Sequence, residues 1–343
     1  MDKSLLYQGD KLKKPIKFKS RVRNKKGEIT KNTKEENLLA YIPGKKLIEA
    51  VRLAQILQRP LLLQGEPGCG KSRVAESIAL EFFGEEHYNE FYFRWNVKST
   101  SKASDGLYVI DHLQRLRDAS LQRTVKNVDG STEPIAADLT LTLDSPYLSL
   151  GELGQAFKAR PNLPRPAVVL IDEIDKADID FPNDLLQELD RMEFEVPGAV
   201  DENRNPLVIS VDSSNRPLII ITSNEEKTLP PAFLRRCLFH YIEFEDVDIK
   251  AIIDAHNDSI DMKLRDEIVD YFINWRKAIK EKGLNKNINT SELLDWIKIL
   301  VYKTSSGEPL PPLPKKEGDG VIPWAEALLK EVSSLRIFTE IKK

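Results

Sequence analysis

Long apolar runs are missing from this chain of 343 residues. The longest, such as Val168-Val169-Leu170-Ile171 and Leu218-Ile219-Ile220-Ile221, fall far below the roughly 18 residues that cross a bilayer, so no membrane span is expected. There are only two cysteines, Cys69 and Cys237, too few for a disulfide framework and in keeping with a reducing cytosol. The lysine-rich start lacks an apolar h-region, so no signal peptide is expected and the expected location is cytoplasmic. His87, His112, His240 and His256 are scattered, with no Cys or acid at metal-ligand spacing, which argues against a zinc site. An Asn-Lys-x-Asp guanine-reading motif is also missing, which favours ATP over GTP for any nucleotide site.

What is present describes a folded chain. Hydrophobic residues make up 41% and charged residues 31%, enough apolar material for a core and too much for a disordered chain. The length is about twice that of a typical domain. The net charge of −3 hides an asymmetry: residues 1–40 sum to +7 and the remainder to −10. A basic arm on an acidic body suits nucleic acid, a membrane surface or an acidic neighbour, although a solvated extension is the plainer reading.

Four stretches follow. Residues 1–40 are expected to form a ragged basic arm, with Lys26-Gly27 able to turn a small hairpin. Residues 41–246 begin with a helical run, Lys45 to Gln58, whose apolar face is Leu47, Ile48, Val51, Leu53, Ala54 and Leu57. Strand-like runs then alternate with helical ones: Leu61–Gln64, Phe91–Val97, Val168–Asp172, Leu218–Ser223 and Leu238–Phe244. Several are apolar throughout, as parallel strands buried on both faces require, so the fold class is α/β. Residues 247–303 have helical spacing only, in Ile249–Ala255, Lys263–Lys280 and Ser291–Tyr302, and read as a small all-α domain. Residues 304–343 hold a Pro/Gly-rich linker to about Gly320 and an amphipathic helix from Pro323 to about Leu335.

The strongest motif is Gly65-Glu66-Pro67-Gly68-Cys69-Gly70-Lys71-Ser72, a full G-x-x-x-x-G-K-[ST] between an apolar strand and a helical run. Glycines let successive backbone N–H groups face a phosphate at a helix N-terminus. Lys71 then reaches the β- and γ-phosphates, and the Ser72 hydroxyl ligates Mg²⁺. The strand ending in Asp172-Glu173 places two acids where α/β sheets bind ligands, Asp172 for the metal and Glu173 for the attacking water. Asp175, Asp178 and Asp180 read as a solvated helix start. Asn224 ends another buried strand, where an amide reaches water and γ-phosphate together. Arg235-Arg236 precede the last strand, an odd choice for a solvated face and a suitable one for a guanidinium offered to a neighbour's phosphate. Phe91, Tyr92, Phe93 and Trp95 read as core, with base stacking the less favoured use.

In this order the motifs resemble AAA+ ATPases and, more narrowly, the MoxR family within the group carrying a helix-2 insert. The wording Ile171-Asp172-Glu173-Ile174-Asp175-Lys176-Ala177, Thr222-Ser223-Asn224-Glu225-Glu226, Leu229-Pro230-Pro231-Ala232-Phe233-Leu234-Arg235-Arg236-Cys237 and Thr290-Ser291-Glu292-Leu293-Leu294-Asp295-Trp296 is similar to that family's, over about residues 40–303. The resemblance implies a P-loop parallel sheet followed by a helical lid, with ATP and Mg²⁺ as cofactors. It also implies a homo-oligomeric ring, expected as a hexamer, and a protein client such as one with a von Willebrand factor A domain. Asn224 matches sensor 1 and Arg236 the arginine finger, with Arg235 as its alternative. The helix-2 insert would lie within residues 98–161 and a hairpin within 192–215. Lys98, Lys102, Tyr108 and Arg115 to Arg117 are then candidate pore contacts.

One position departs from the pattern. Glu292 stands where many relatives carry the sensor 2 arginine, and an acid cannot neutralise a γ-phosphate. The departure supports one rival function, a nucleotide-gated assembly switch with low turnover; the basic arm of Lys11–Lys34 and the helicases of the insert group support another, a nucleic-acid motor or defence effector.

Overall fold

A computed structural model describes residues 5–120, 139–159, 165–244, 247–257, 260–283, 288–309, 313, 321–331 and 335, together with the backbone of 123–126 and 132–135. Parts of the expected insert (121, 122, 127–131, 136–138, 160, 161), most of the expected linker (310–312, 314–320) and positions 332–334 of the last expected helix lie outside these residues.

The N-terminal stretch is a hairpin, not a ragged arm. Strands β1 (Ile16–Arg23) and β2 (Ile29–Leu38) pair antiparallel across a turn with Gly27 at φ +80°. Asn24 Oδ1 braces the turn by accepting from the Lys26 and Glu28 N–H groups at 2.9 and 3.0 Å. Tyr7, Leu12 and Phe18 are buried in the main core. The basic charge is partly matched locally, by Lys19–Glu35 (3.4 Å), Lys34–Glu36 (2.9 Å) and Arg21–Glu90 (2.7 Å).

Helix α1 (Lys45–Leu57) follows and buries Leu47, Ala50, Val51 and Ala54, one stripe at i, i+3, i+4 and i+7. Leu53 and Leu57, expected on that stripe, are exposed with Ile56. Next come β3 (Leu61–Gly65), α2 (Lys71–Phe91, broken at Gly84, φ +65°) and β4 (Tyr92–Asn96). Residues 98–161 hold β5 (Tyr108–Ile110), α3 (His112–Ser120), β6 (Arg123–Lys126), β7 (Thr132–Ile135), β8 (Leu148–Leu150) and α4 (Glu152–Lys158). After them come β9 (Val168–Asp172), then the short helices α5 (Phe181–Asp184) and α6 (Leu186–Arg191). Strands β10 (Glu193–Val200) and β11 (Pro206–Ser210) form a hairpin before β12 (Leu218–Ser223). A short helix, α7 (Pro231–Leu234), leads into β13 (Leu238–Ile242).

The central sheet is five parallel strands in the order β13-β3-β12-β9-β4. The three inner strands are apolar because helices cover both faces; every residue of β9 and β12 is buried. Phe91, Tyr92, Phe93 and Trp95 are core residues.

A second core is all helical: α8 (Ile249–His256), α9 (Met262–Glu281), α10 (Thr290–Ser305) and α11 (Ala325–Leu328). Trp275 and Trp296 meet edge to face at its centre, 5.7 Å apart. The C-terminal segment docks on this core within its own chain: Ile322, Ala325, Leu328 and Leu329 are buried, and Trp296 Nε1 donates to the Pro323 carbonyl at 2.7 Å. Among the described residues no helix is long and apolar enough to cross a membrane.

Candidate active site

The P-loop joins the end of β3 to the start of α2. Its glycines are required by backbone shape: Gly68 and Gly70 sit at φ +80° and +90°. A Cβ on Gly68 would come within 2.9 Å of Ser291 Oγ, and one on Gly70 within 3.0 Å of the Tyr41 ring. Lys71, buried, donates through Nζ to the Gly65 and Glu66 carbonyls at 2.7 and 3.1 Å.

Asp172 is the hub of the site. Its Oδ1 accepts from Ser72 Oγ at 2.6 Å and from Thr222 Oγ1 at 2.7 Å. Its Oδ2 accepts from Arg94 Nη2 at 2.8 Å. A hydroxyl and a carboxylate converging beside a glycine-rich cradle are hard oxygen donors that suit Mg²⁺. Glu173 follows in the left-handed region, φ 59° and ψ 53°, uncommon for a residue with a Cβ. That turn aims its carboxylate at Asn224 Nδ2 (3.1 Å) and at Lys176 Nζ (2.5 Å).

Asp175 is not a solvated helix residue. It is buried, and its Oδ2 accepts from the backbone N–H groups of Asn224 and Glu226, both at 2.9 Å. Its Oδ1 has no hydrogen-bond partner among the described residues. The carboxylate thereby ties the turn after β9 to the turn after β12.

Pro67, Gly68, Cys69, Gly70, Lys71, Ser72, Asp172, Glu173 and Asn224 all line one cleft of about 430 Å³. Gly65 supports it from behind through Lys71. The far wall is apolar, built from Leu39, Tyr41, Leu47, Ile242 and Ile252. The helical part closes the cleft: Ser291 Oγ donates to the Gly68 carbonyl at 3.0 Å, Asn289 Nδ2 to the Pro67 carbonyl, and Arg276 pairs with Glu66 at 3.1 Å. Glu292 is committed elsewhere, accepting from the Asn289 N–H at 3.0 Å as the cap of α10. Lys298 and His256 are the basic side chains that the described helical part contributes to the cleft wall. Burial raises the Cys69 thiol pKa and lowers that of His256.

Arg235 and Arg236 stand apart. Arg59 donates through Nε to the Arg236 carbonyl at 3.1 Å and through Nη2 to the Arg235 carbonyl, and the Leu238 N–H donates to the Pro60 carbonyl at 2.8 Å. This turn lies at the start of β3, whereas the P-loop lies at its end, roughly 13 Å along the strand. Arg236 Nε meets Asp190 at 2.5 Å on the surface.

Sequence reasoning passed over Arg94, Thr222 and Asp175 as site residues. The signal for Arg94 was two polar positions, Arg94 and Asn96, alternating inside an aromatic strand.

A parallel sheet with a phosphate cradle at the end of one strand and paired acids at the end of another defines a P-loop nucleotide hydrolase. Residues 61–245 match the model of the ATPase family associated with various cellular activities (AAA), more than half of the chain, and the protein belongs to that family of ATP-driven proteins. No curated protein matches the chain.

Proposed function

We propose that this protein is a MoxR-type AAA+ ATPase, a subunit of a ring that hydrolyses ATP between subunits to remodel, assemble or activate a protein partner. One observation carries the reading: Lys71, Ser72, Asp172, Glu173 and Asn224 share one cleft, while Arg235 and Arg236 lie at the opposite end of β3. A finger so placed serves the site of a neighbouring copy better than its own.

In this account the P-loop N–H groups and Lys71 bind the phosphates. Ser72 and Asp172 would hold Mg²⁺, which supplies charge neutralisation on the phosphates when bound. Glu173 orients the attacking water and takes up its proton density, and Asn224 holds Glu173 in register. Arg236, with Arg235 beside it, stabilises the charge that develops in the adjacent subunit's site. The helical lid, residues 247–303, senses nucleotide through its contacts with the P-loop, and the 98–161 insert and 192–215 hairpin face the client. The client's chemistry follows from the resemblance alone, with a von Willebrand factor A domain as the first candidate.

The test is steady-state ATP hydrolysis across a wide range of protein concentration, with Glu173→Gln as the blank. A rate per subunit that climbs with concentration supports sites completed between subunits. Nucleotide binding without turnover above the blank favours the assembly switch instead. A nucleic-acid motor would have to use the basic charge of the packed N-terminal hairpin, which is only partly matched by local acids; salt-sensitive DNA or RNA binding with DNA-stimulated hydrolysis would favour it.

A further inference from the structure

Ser72 and Asp172, the oxygen donors suited to a divalent cation, are held by side chains outside the cleft lining. On β4 the residues alternate between the two faces of the sheet, so Tyr92, Arg94 and Asn96 share one face while Phe93 and Trp95 take the other. Strand β4 lies beside β9 with Arg94 opposite Leu170 and Asn96 opposite Asp172. An arginine in this otherwise aromatic strand therefore sits just short of the acid that ends β9.

All three nitrogens of the Arg94 head are used there. Nη2 donates to Asp172 Oδ2 at 2.8 Å, Nε to Asn96 Oδ1 at 2.9 Å, and Nη1 to Glu76 Oε1 at 3.4 Å. Glu76 stands four residues after Ser72 on α2, one turn along the same helix face. Ser72 closes the ring by donating to Asp172 Oδ1 at 2.6 Å. Asp172, buried, is thus gripped from both sides, by the Ser72 and Thr222 hydroxyls on Oδ1 and by the guanidinium on Oδ2.

Two effects of Arg94 on a cation beside Asp172 oppose each other. Its charge repels the cation, while its hydrogen bond stops the carboxylate from turning about the Cβ–Cγ bond. The Arg94 side chain is 41% exposed, so solvent screens the repulsion but leaves the geometry fixed. Groups that orient a metal-binding side chain through its other atom are typically worth about ten- to hundredfold in metal affinity. Orientation therefore wins.

We propose that Arg94 is a positioning residue for the divalent metal: its planar fork fixes Asp172 so that Oδ1 stays beside the Ser72 hydroxyl. This role rests on the assignment of Ser72 and Asp172 to Mg²⁺ above. It makes β4 and α2, through Arg94 and Glu76, set the cation demand of the cleft. A lysine would keep the charge, but as a point on a flexible stem it could not bridge Asn96, Glu76 and Asp172 at fixed angles.

The test is titration of Mn²⁺, standing for Mg²⁺, into the full chain carrying one equivalent of ADP, which allows no turnover. Loss of the free-ion paramagnetic resonance signal reads metal affinity directly, and ADP affinity is measured separately in chelator. Arg94→Met should weaken Mn²⁺ binding about tenfold or more while ADP binding in chelator holds within about twofold. Damage to the fold would weaken both. Arg94→Lys keeps the ion pair's charge and with it the fold, and should still weaken Mn²⁺ binding at least about threefold. Native protein that binds no Mn²⁺ with ADP overturns the assignment of the metal donors and this role together. Native binding with Arg94→Met within about twofold of it, or with Arg94→Lys at the native affinity, overturns the role of Arg94 alone. So does a parallel loss of ADP binding in chelator in both variants.

Discussion

Asp175 accepts a 2.9 Å hydrogen bond from the backbone N–H of Asn224, and through it the turn carrying Glu173 is tied to the turn that ends β12. Asp175→Ala leaves the Asn224 and Glu226 N–H groups without their acceptor in the interior, at a cost of about 1–3 kcal/mol each. It also frees Asn224 from Glu173. ATP turnover should fall roughly ten- to hundredfold while nucleotide affinity holds, and Asp175→Asn, which keeps one acceptor oxygen, should recover most of the loss. Equal losses in both variants would contradict a positioning role.

Arg276 carries one of the helical segment's contacts with the P-loop. Its guanidinium pairs with Glu66 at 3.1 Å, donates to the Ile288 carbonyl and stacks over Phe244 at 3.7 Å. Glu66 is partly exposed, so much of the pair's Coulomb energy is screened by solvent. Arg276→Met should cost about 2 kcal/mol, mostly from the orphaned carbonyl and lost stacking. Nucleotide affinity should weaken with it, as read by a fluorescent ATP analogue; unchanged affinity would mean the contacts of the helical segment do not support the cleft.

The N-terminal hairpin is part of the core. Phe18 packs edge to face on Tyr88 at 5.4 Å, and Glu81 accepts from the Gln8 and Gly9 N–H groups at 2.6 and 2.8 Å. Phe18→Ala should lower stability by about 3 kcal/mol in urea unfolding. A change below about 0.5 kcal/mol would mean the hairpin is detachable.

His256, on α8 in the cleft wall, has its pKa held below the ordinary 6.5 by burial, with Arg73 and Lys298 adding to the shift. Both folded and unfolded chains carry it neutral above pH 6.5. Below that, the unfolded chain takes up the proton first, so stability falls as pH drops through the window from 6.5 to the lower folded pKa. His256→Gln should flatten this fall in thermal unfolding between about pH 7 and 5.

Thiol reactivity distinguishes the two cysteines. Burial pushes the Cys237 thiol up to about 12, and that of Cys69 upward as well. At pH 8 both should alkylate more slowly than a free thiol, Cys237 the slower. Nucleotide should protect Cys69, which lines the cleft, and leave Cys237 unchanged.

The sheet was legible because buried parallel strands must be apolar on both faces, and Leu61–Gln64, Val168–Asp172 and Leu218–Ser223 could hardly be anything else. The acids and amide at their ends were legible for the same reason, since polar residues terminating such strands face the ligand crevice. Asp175 was misread because three nearby acids in a row look solvated, and only the tertiary approach of the β12 turn supplies its two N–H donors. The hairpin was misread because Lys-rich strands of Ile16–Leu38 show their apolar side only at Phe18 and Leu38, while the surface they bury belongs to α2. Leu53 and Leu57 were placed on the buried stripe by spacing alone, yet they are exposed, to one side of the stripe that Leu47, Ala50, Val51 and Ala54 bury.

Mixing two variants tests the central claim most directly. On the proposed roles, Glu173→Gln subunits keep Arg236 but lose the carboxylate that activates water, and Arg236→Ala subunits keep Glu173 but offer no finger. The account predicts that each alone is nearly inactive and that the mixture hydrolyses ATP well above the sum of its parts, because Arg236 of one chain completes the cleft of the next. A mixture no faster than that sum, or an Arg236→Ala protein as active as the native chain, would contradict it.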